Sequence, residues 1–217
     1  MKSLSLLSKF LGCYDRWKSI KEKYQLNWSE YNSIGIFQDI VNEQSNFTVM
    51  LDWLKTPINH MPSSHNNILI YCTLTGLRPE EACQSISLIK KDKQHYLNKE
   101  AMILEHIRYP EVFIRKTKQA YVSVITNSIL QIAEKSGQYD YNALRCYLRR
   151  RNIPMHMNYC RKIYATYLRS NGIEQEIIDL LQGRIPKSIF VRHYFRPDLD
   201  SLERVRKCLT QLKKLII

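Results

Sequence analysis

Hydrophobic positions along this chain recur mostly at intervals of three and four, the period of an α-helix, and one stretch breaks that rule. Residues 3–25 keep the helical period among lysines and tyrosines and predict one or two amphipathic helices. Residues 26–48 mix polar and apolar positions, with a further helix predicted near IGIFQDIVNEQ. A proline-bearing loop, KTPINHMPSS, follows. The run NNILIYCTLTG is then apolar almost all round, which predicts a helix central to the core, capped by Ser63 or Ser64. Gly76 ends it. The next helix is predicted from RPEEACQSISLI, with Pro79 and two glutamates in its first turn, where a missing N–H and negative charge both suit a helix start.

Residues 101–126 change period. EVFIRKTKQAYVSVI is β-branched and aromatic on both sides of a polar centre, RKTKQ, and reads as two strands and a turn. Helices resume from about Thr126, with a basic stretch, LRCYLRRRNIP, between Leu144 and Pro154. A helix follows through YCRKIYATYLRSNG, with Gly172 as its C-cap, then a short one through IEQEIIDLLQG, closed by Gly183. In the tail, Leu199, Leu202, Val205, Leu209, Leu212 and Ile216 fall three and four apart and predict a helix with a narrow apolar seam. That seam suits packing of the helix on its own domain. Glycine and proline are scarce, 6 and 7 among 217 residues, as helices joined by short loops require. The fold class predicted is α+β, mainly helical with a small antiparallel β-sheet.

Charge narrows the function. Lys plus Arg number 33 against 20 Asp plus Glu, a formal net charge of +13. Such a surplus favours a polyanionic partner through phosphate neutralisation and counterion release. A membrane surface is the other class of partner. However, no run of about 18 apolar residues exists, and MKSLSLLSKFLGCYDRWK turns polar too soon to span a bilayer. GCYDRWKSIKEK offers no clean small-residue site for signal cleavage, so the chain reads as cytosolic. The six cysteines are scattered without a C-x-x-C pair, which speaks against a structural zinc site and a disulfide framework.

Three separated stretches carry a resemblance. LTGLRPEEA (74–82) resembles the first box of the tyrosine recombinases, the phage integrase family, in which an arginine is followed three residues later by a glutamate; here these are Arg78 and Glu81. NYCRKIYATYLRSNGI (158–173) resembles the second box, with Arg161 as its arginine. LLQGR (180–184) resembles the LGH element, with Arg184 where the family usually has His or Trp. Tyr194 stands ten residues further on, where the family places its nucleophile. GR in place of GH, with a charge-rich second box, is most similar to integrases of spindle-shaped archaeal viruses.

The resemblance implies a catalytic domain over 41–217. The helical segment 1–40 would be the end, or a shortened substitute, of a core-binding domain, and whether the chain is a fragment stays open. It implies site-specific cleavage and rejoining of double-stranded DNA through a 3′-phosphotyrosyl link to Tyr194, without metal, ATP or other cofactor. The work would be done on DNA in the host cytoplasm by a tetramer, with no membrane or small-molecule substrate. Arg78, Arg161 and Arg184 would stabilise charge on the non-bridging phosphate oxygens. A lysine in the RKTKQ turn would protonate the leaving 5′-oxygen, Lys116 with Lys118 as the alternative. Asn158 stands where the family has His or Lys; asparagine positions a phosphate or a hydroxyl but takes up no proton. His156, His193 and Lys162 are the candidates for the missing base. A type IB topoisomerase-like relaxing enzyme and a non-catalytic DNA-binding regulator of the same fold are the competing readings.

Overall fold

The computed structural model describes residues 2–26, 46–116, 118–154, 156–184 and 199–217. The helix expected near IGIFQDIVNEQ lies outside them. The chain forms two compact units, Met1–Ser45 and Asn46–Ile217. In the first, α1 (Lys2–Phe10) and α2 (Tyr14–Lys23) meet where the Trp17 indole N–H donates to Ser5 Oγ at 2.9 Å.

The second unit opens with α3 (Phe47–His60), whose N-terminus is capped by the Asn46 side chain accepting from the Thr48 N–H. α4 (Ser63–Thr75) is buried at every position from Ile68 to Thr75. Its all-round burial follows from its neighbours: α3, α5 (Pro79–Tyr96), α7 (Asn127–Lys135), α9 (Asn158–Ser170) and α11 (Leu199–Ile216) all pack against it. Neither serine caps α4. Pro62 occupies the N-cap, and the Ser64 hydroxyl is hydrogen-bonded to its neighbour His65 instead. α8 (Tyr141–Arg150), capped by Asp140, and α10 (Gln175–Leu181) complete the helical body.

The sheet has three short antiparallel strands in the order β1 (Leu97–Asn98), β2 (Ile103–Glu105), β3 (Val122–Val124), with Leu104 opposite both Leu97 and Ser123. The first arm of the hairpin read from EVFIRKTKQAYVSVI is not a strand. Pro110 opens a helical turn, α6 (Pro110–Phe113), and the arms pair beyond it, through the Ile114–Gln119 bridge and the N–H groups of Arg115 and Ala120, which donate to the Lys118 and Phe113 carbonyls at 2.9 and 3.0 Å. Pro110 suits the helix start, and Phe113 supplies the packing. Its ring is fully buried 4.4 Å from the His106 ring and stacks on Tyr96 at 6.1 Å, which the helical turn permits. β3 therefore takes its partner from residues 103–105.

A buried chain of hydrogen bonds ties this sheet to the helices. The Tyr71 and Tyr96 hydroxyls both meet Ser85 Oγ, at 2.6 and 2.8 Å; Tyr96 Oη also meets His106 Nδ1 at 2.6 Å; His106 Nε2 meets Ser123 Oγ at 2.8 Å. With both ring nitrogens partnered and water excluded, burial holds the His106 imidazole neutral, its pKa lowered to about 3. The α11 seam is used within its own unit: Val205, Leu209, Leu212 and Ile216 are buried, and the helix packs on α3, α4, α9 and β3.

Candidate active site

The loop between α4 and α5 is built around Gly76 and Glu81. Gly76 closes α4 at φ +65° and lies flat on the buried Tyr164 ring of α9; a Cβ there would sit 2.6 Å from Tyr164 Cδ1. Two residues later Arg78 occupies the N-cap of α5. An arginine cannot accept the free N–H groups of a first turn, and Glu81 works in the opposite sense. Its Oε2 accepts the Arg78 backbone N–H at 3.0 Å, and its Oε1 accepts Arg78 Nη1 at 2.8 Å. Glu81 is 1% exposed and Arg78 23%, so the carboxylate is the buried anchor and the guanidinium the part that reaches solvent. Nη1 of Arg78 also donates to the carbonyl of Gln119, in the arm that follows the lysine-bearing turn, at 3.1 Å.

Arg161 enters from the first turn of α9. Its two terminal nitrogens hold two carbonyls from distant segments, Nη1 to Gly76 at 2.7 Å and Nη2 to Gln182 at 3.0 Å. Gln182 returns the contact, its side-chain amide donating to the Arg161 carbonyl at 3.0 Å. Burial, and then the positive charges of Arg78 and Arg184, pull the Arg161 guanidinium down to about 10, against the pull of Glu81. It remains charged at neutral pH, and it feels both other arginines. Positive charges gathered in this way favour an anion beside them.

Arg184 follows α10 through Gly183, which adopts φ +70°. A Cβ on Gly183 would fall 1.6 Å from the Gln119 carbonyl oxygen, so only glycine lets this turn seat on the arm that also receives Arg78. The Arg184 side chain is 58% exposed and pairs with Asp179 at 3.2 Å, while its backbone N–H donates to the Asp179 carbonyl at 2.7 Å. Surface pairing of this kind is weak and gives way readily to a phosphate.

Three of the residues singled out in the sequence are thus brought together: Arg78, Arg161 and Arg184. Lys116 and Lys118 are exposed beside the turn whose following arm, at Gln119, touches Arg78 and Gly183. Asn158 is the exposed first residue of α9, one helical turn before Arg161 and so on its side of the helix. His156 is held elsewhere. Its ring stacks on Tyr159 at 4.9 Å and meets Trp53 edge-on at 6.1 Å, and residue 159 projects from the side of α9 opposite 161. Lys162 lies over the same Tyr159 ring at 5.8 Å. Tyr194 and His193 lie outside the described residues.

Sequence reasoning passed over Arg115, Gln119 and Gln182. Arg115 pairs with Glu80 at 2.9 Å and with Glu81 at 3.0 Å. Gln119 and Gln182 act chiefly through backbone carbonyls, which no side-chain motif records. A cluster of guanidiniums fixed by carbonyls and one buried carboxylate can grip a phosphodiester bidentately.

Against models of protein families, residues 65–200 match the archaeal phage integrase family. The match covers more than half of the 217 residues. The chain belongs to the archaeal phage integrase family. No curated protein and no solved structure matches it. The integrase stretch runs from the start of α4 into α11 and contains Arg78, Lys116, Asn158, Arg161, Arg184 and Tyr194. Membership gives this integrase a role in recombination and DNA as its partner. Among the described residues no helix is long and apolar enough to cross a membrane.

Proposed function

We propose that this integrase is a site-specific DNA recombinase whose nucleophile is Tyr194. The observation that carries the reading is the arginine cluster: Arg161 holds the Gly76 and Gln182 carbonyls, Arg78 holds the Gln119 carbonyl on which the Gly183–Arg184 turn seats, and Glu81 and Asp179 hold Arg78 and Arg184. As the Tyr194 oxygen adds to phosphorus, charge builds on the two non-bridging oxygens. Preorganised guanidiniums stabilise that charge, and losing one costs roughly 10²–10³ in rate by analogy with other oxyanion donors.

The step balances simply. The phenolic oxygen of Tyr194 bonds to phosphorus and gives up its proton to solvent; the bond to the 5′-oxygen breaks, and that oxygen takes a proton from Lys116. A 3′-phosphotyrosyl link stores the bond, and a 5′-hydroxyl of another strand reverses the step. Asn158 orients the phosphate or the phenol without titrating. Exchange between two duplexes cuts four strands. With one nucleophile per chain, four copies assemble on DNA. The catalytic domain is assigned to 41–217, with 1–40 as a separate N-terminal segment.

The target sequence is found with the reaction itself. The full chain is incubated with a pool of randomised duplexes nicked near the centre, so that a short 5′-hydroxyl strand diffuses away after cleavage. Protein-linked DNA is recovered under denaturing conditions and sequenced. The reading expects an adduct with an enriched sequence, absent with Tyr194→Phe. DNA binding without any adduct would mark a regulator, and adducts with relaxation but no joining between duplexes would mark a topoisomerase-like enzyme.

A further inference from the structure

Arg115 has no part in the chemistry described so far, yet it touches both halves of it. Its backbone N–H donates to the Lys118 carbonyl at 2.9 Å and so closes the turn that carries Lys116. Its guanidinium leaves the turn and reaches the first turn of α5. There Nη1 meets Glu80 Oε2 at 2.9 Å and Nη2 meets Glu81 Oε1 at 3.0 Å. That Glu81 oxygen is the one that accepts Arg78 Nη1 at 2.8 Å. One buried carboxylate oxygen therefore holds an arginine of the phosphate site and the residue that closes the lysine-bearing turn.

The two arms of Arg115 differ in worth. Glu80 is 61% exposed, and an exposed pair contributes little. Glu81 is 1% exposed, already desolvated, and its charge-assisted bond to Arg115 is of the strong kind. The turn has two arms to fix. Gln119, on the far arm, is held by its bridge to Ile114, by Arg78 and by the close approach of Gly183. Arg115 holds the near arm. A lysine side chain is long and flexible, so the reach of its ammonium depends on where its turn is held. A proton donor must come within about 2.6–3.2 Å of the oxygen it serves.

We infer that Arg115 is a positioning residue for the proton-donating step: through Glu81 it sets the lysine-bearing turn at a fixed distance from the phosphate held by Arg78. The inference rests on the proposed Tyr194 chemistry. In that step the bond from phosphorus to the 5′-oxygen breaks while the lysine ammonium gives that oxygen a proton. The lysine recovers a proton from solvent, and phosphorus keeps four oxygens, one of them now from Tyr194. Without Arg115 the arginines still bind and polarise the phosphate, but the leaving oxygen departs unprotonated.

Replacing the bridging 5′-oxygen by sulfur tests this. A thiol is far more acidic than an alcohol, so a 5′-thiolate leaves without a donated proton. The full chain is given the duplex recovered from the randomised pool in two forms, all-oxygen and 5′-bridging sulfur, and adduct formation is timed. Arg115→Gln is expected to cleave the oxygen duplex about 10²-fold more slowly than the unaltered chain, the usual worth of a general acid, and to match it on the sulfur duplex. Arg78→Ala is expected to be slow on both. Equal slowing of Arg115→Gln on both duplexes, or no slowing on either, would overturn the inference. If Arg115→Gln does not fold, Arg115→Lys decides it: a raised sulfur-to-oxygen rate ratio supports the positioning role and an unchanged ratio refutes it. An unaltered chain that forms no adduct on either duplex would instead overturn the Tyr194 chemistry itself, and this inference with it.

Discussion

The guanidinium of Arg161 reaches the carbonyl of Gly76 at 2.7 Å, across 85 residues of sequence. A second carbonyl, that of Gln182, lies 3.0 Å from its other terminal nitrogen. The position of this arginine is thus set by two main-chain oxygens, one at the end of α4 and one at the end of α10. Turns place Arg161, whereas the carboxylates of Glu81 and Asp179 hold Arg78 and Arg184.

Arg161→Lys tests this fork. An ammonium keeps the charge but cannot hold two carbonyls in one plane and still face a phosphate. Adduct formation is expected to fall roughly 10²–10³-fold, with a lowered urea midpoint as at least one carbonyl loses its donor. Near-normal cleavage by Arg161→Lys would show that charge alone suffices.

Gly183→Ala should cost both stability and cleavage. Positive φ penalises a side chain, and the added Cβ would collide at 1.6 Å with the Gln119 carbonyl oxygen, a backbone atom that cannot swing aside. Loss of about 2 kcal/mol or more in urea unfolding is expected. Unchanged stability would mean that the turn does not seat on residue 119.

Stability should fall in acid through His106. Burial lowers its pKa from 6.5 to about 3 in the folded state. Between those values the unfolded chain binds the proton and the folded chain does not. The contribution is complete above the unfolded pKa and is lost as pH falls toward 3, by up to roughly 1.4 kcal/mol per pH unit. Urea unfolding between pH 7 and pH 4 should therefore be steeper in pH for the unaltered chain than for His106→Asn. Parallel slopes would contradict a neutral buried imidazole.

Asn158→Ala is expected to slow cleavage without abolishing it, and to leave its pH dependence unmoved, because an amide positions and does not titrate. Rates of adduct formation across pH check this. Loss as complete as that of Tyr194→Phe would give Asn158 a larger share of the chemistry.

Much of this was legible in the sequence. The all-round apolar run of α4, the Pro79 start of α5 and the seam of α11 follow from periodicity, because burial selects residues by face. The first arm of the predicted hairpin misled because EVFI has strand composition, while Pro110 and the burial of Phe113 favour a helical turn. The arginines could be singled out because the stretches that carry them resemble the family's boxes, which are written in side chains. What holds them could not: Gly76, Gln119 and Gln182 act through carbonyls. Arg115 was hidden within RKTKQ, where its lysine neighbours offered the more obvious chemistry.

The most direct test of the central claim is to identify the residue joined to DNA. The covalent adduct is digested with protease and nuclease, and the peptide that retains a nucleotide is sequenced by mass spectrometry. The account predicts a 3′-phosphonucleotide on the phenolic oxygen of Tyr194. A nucleotide on any other residue, or a 5′-phosphate linkage, would contradict it.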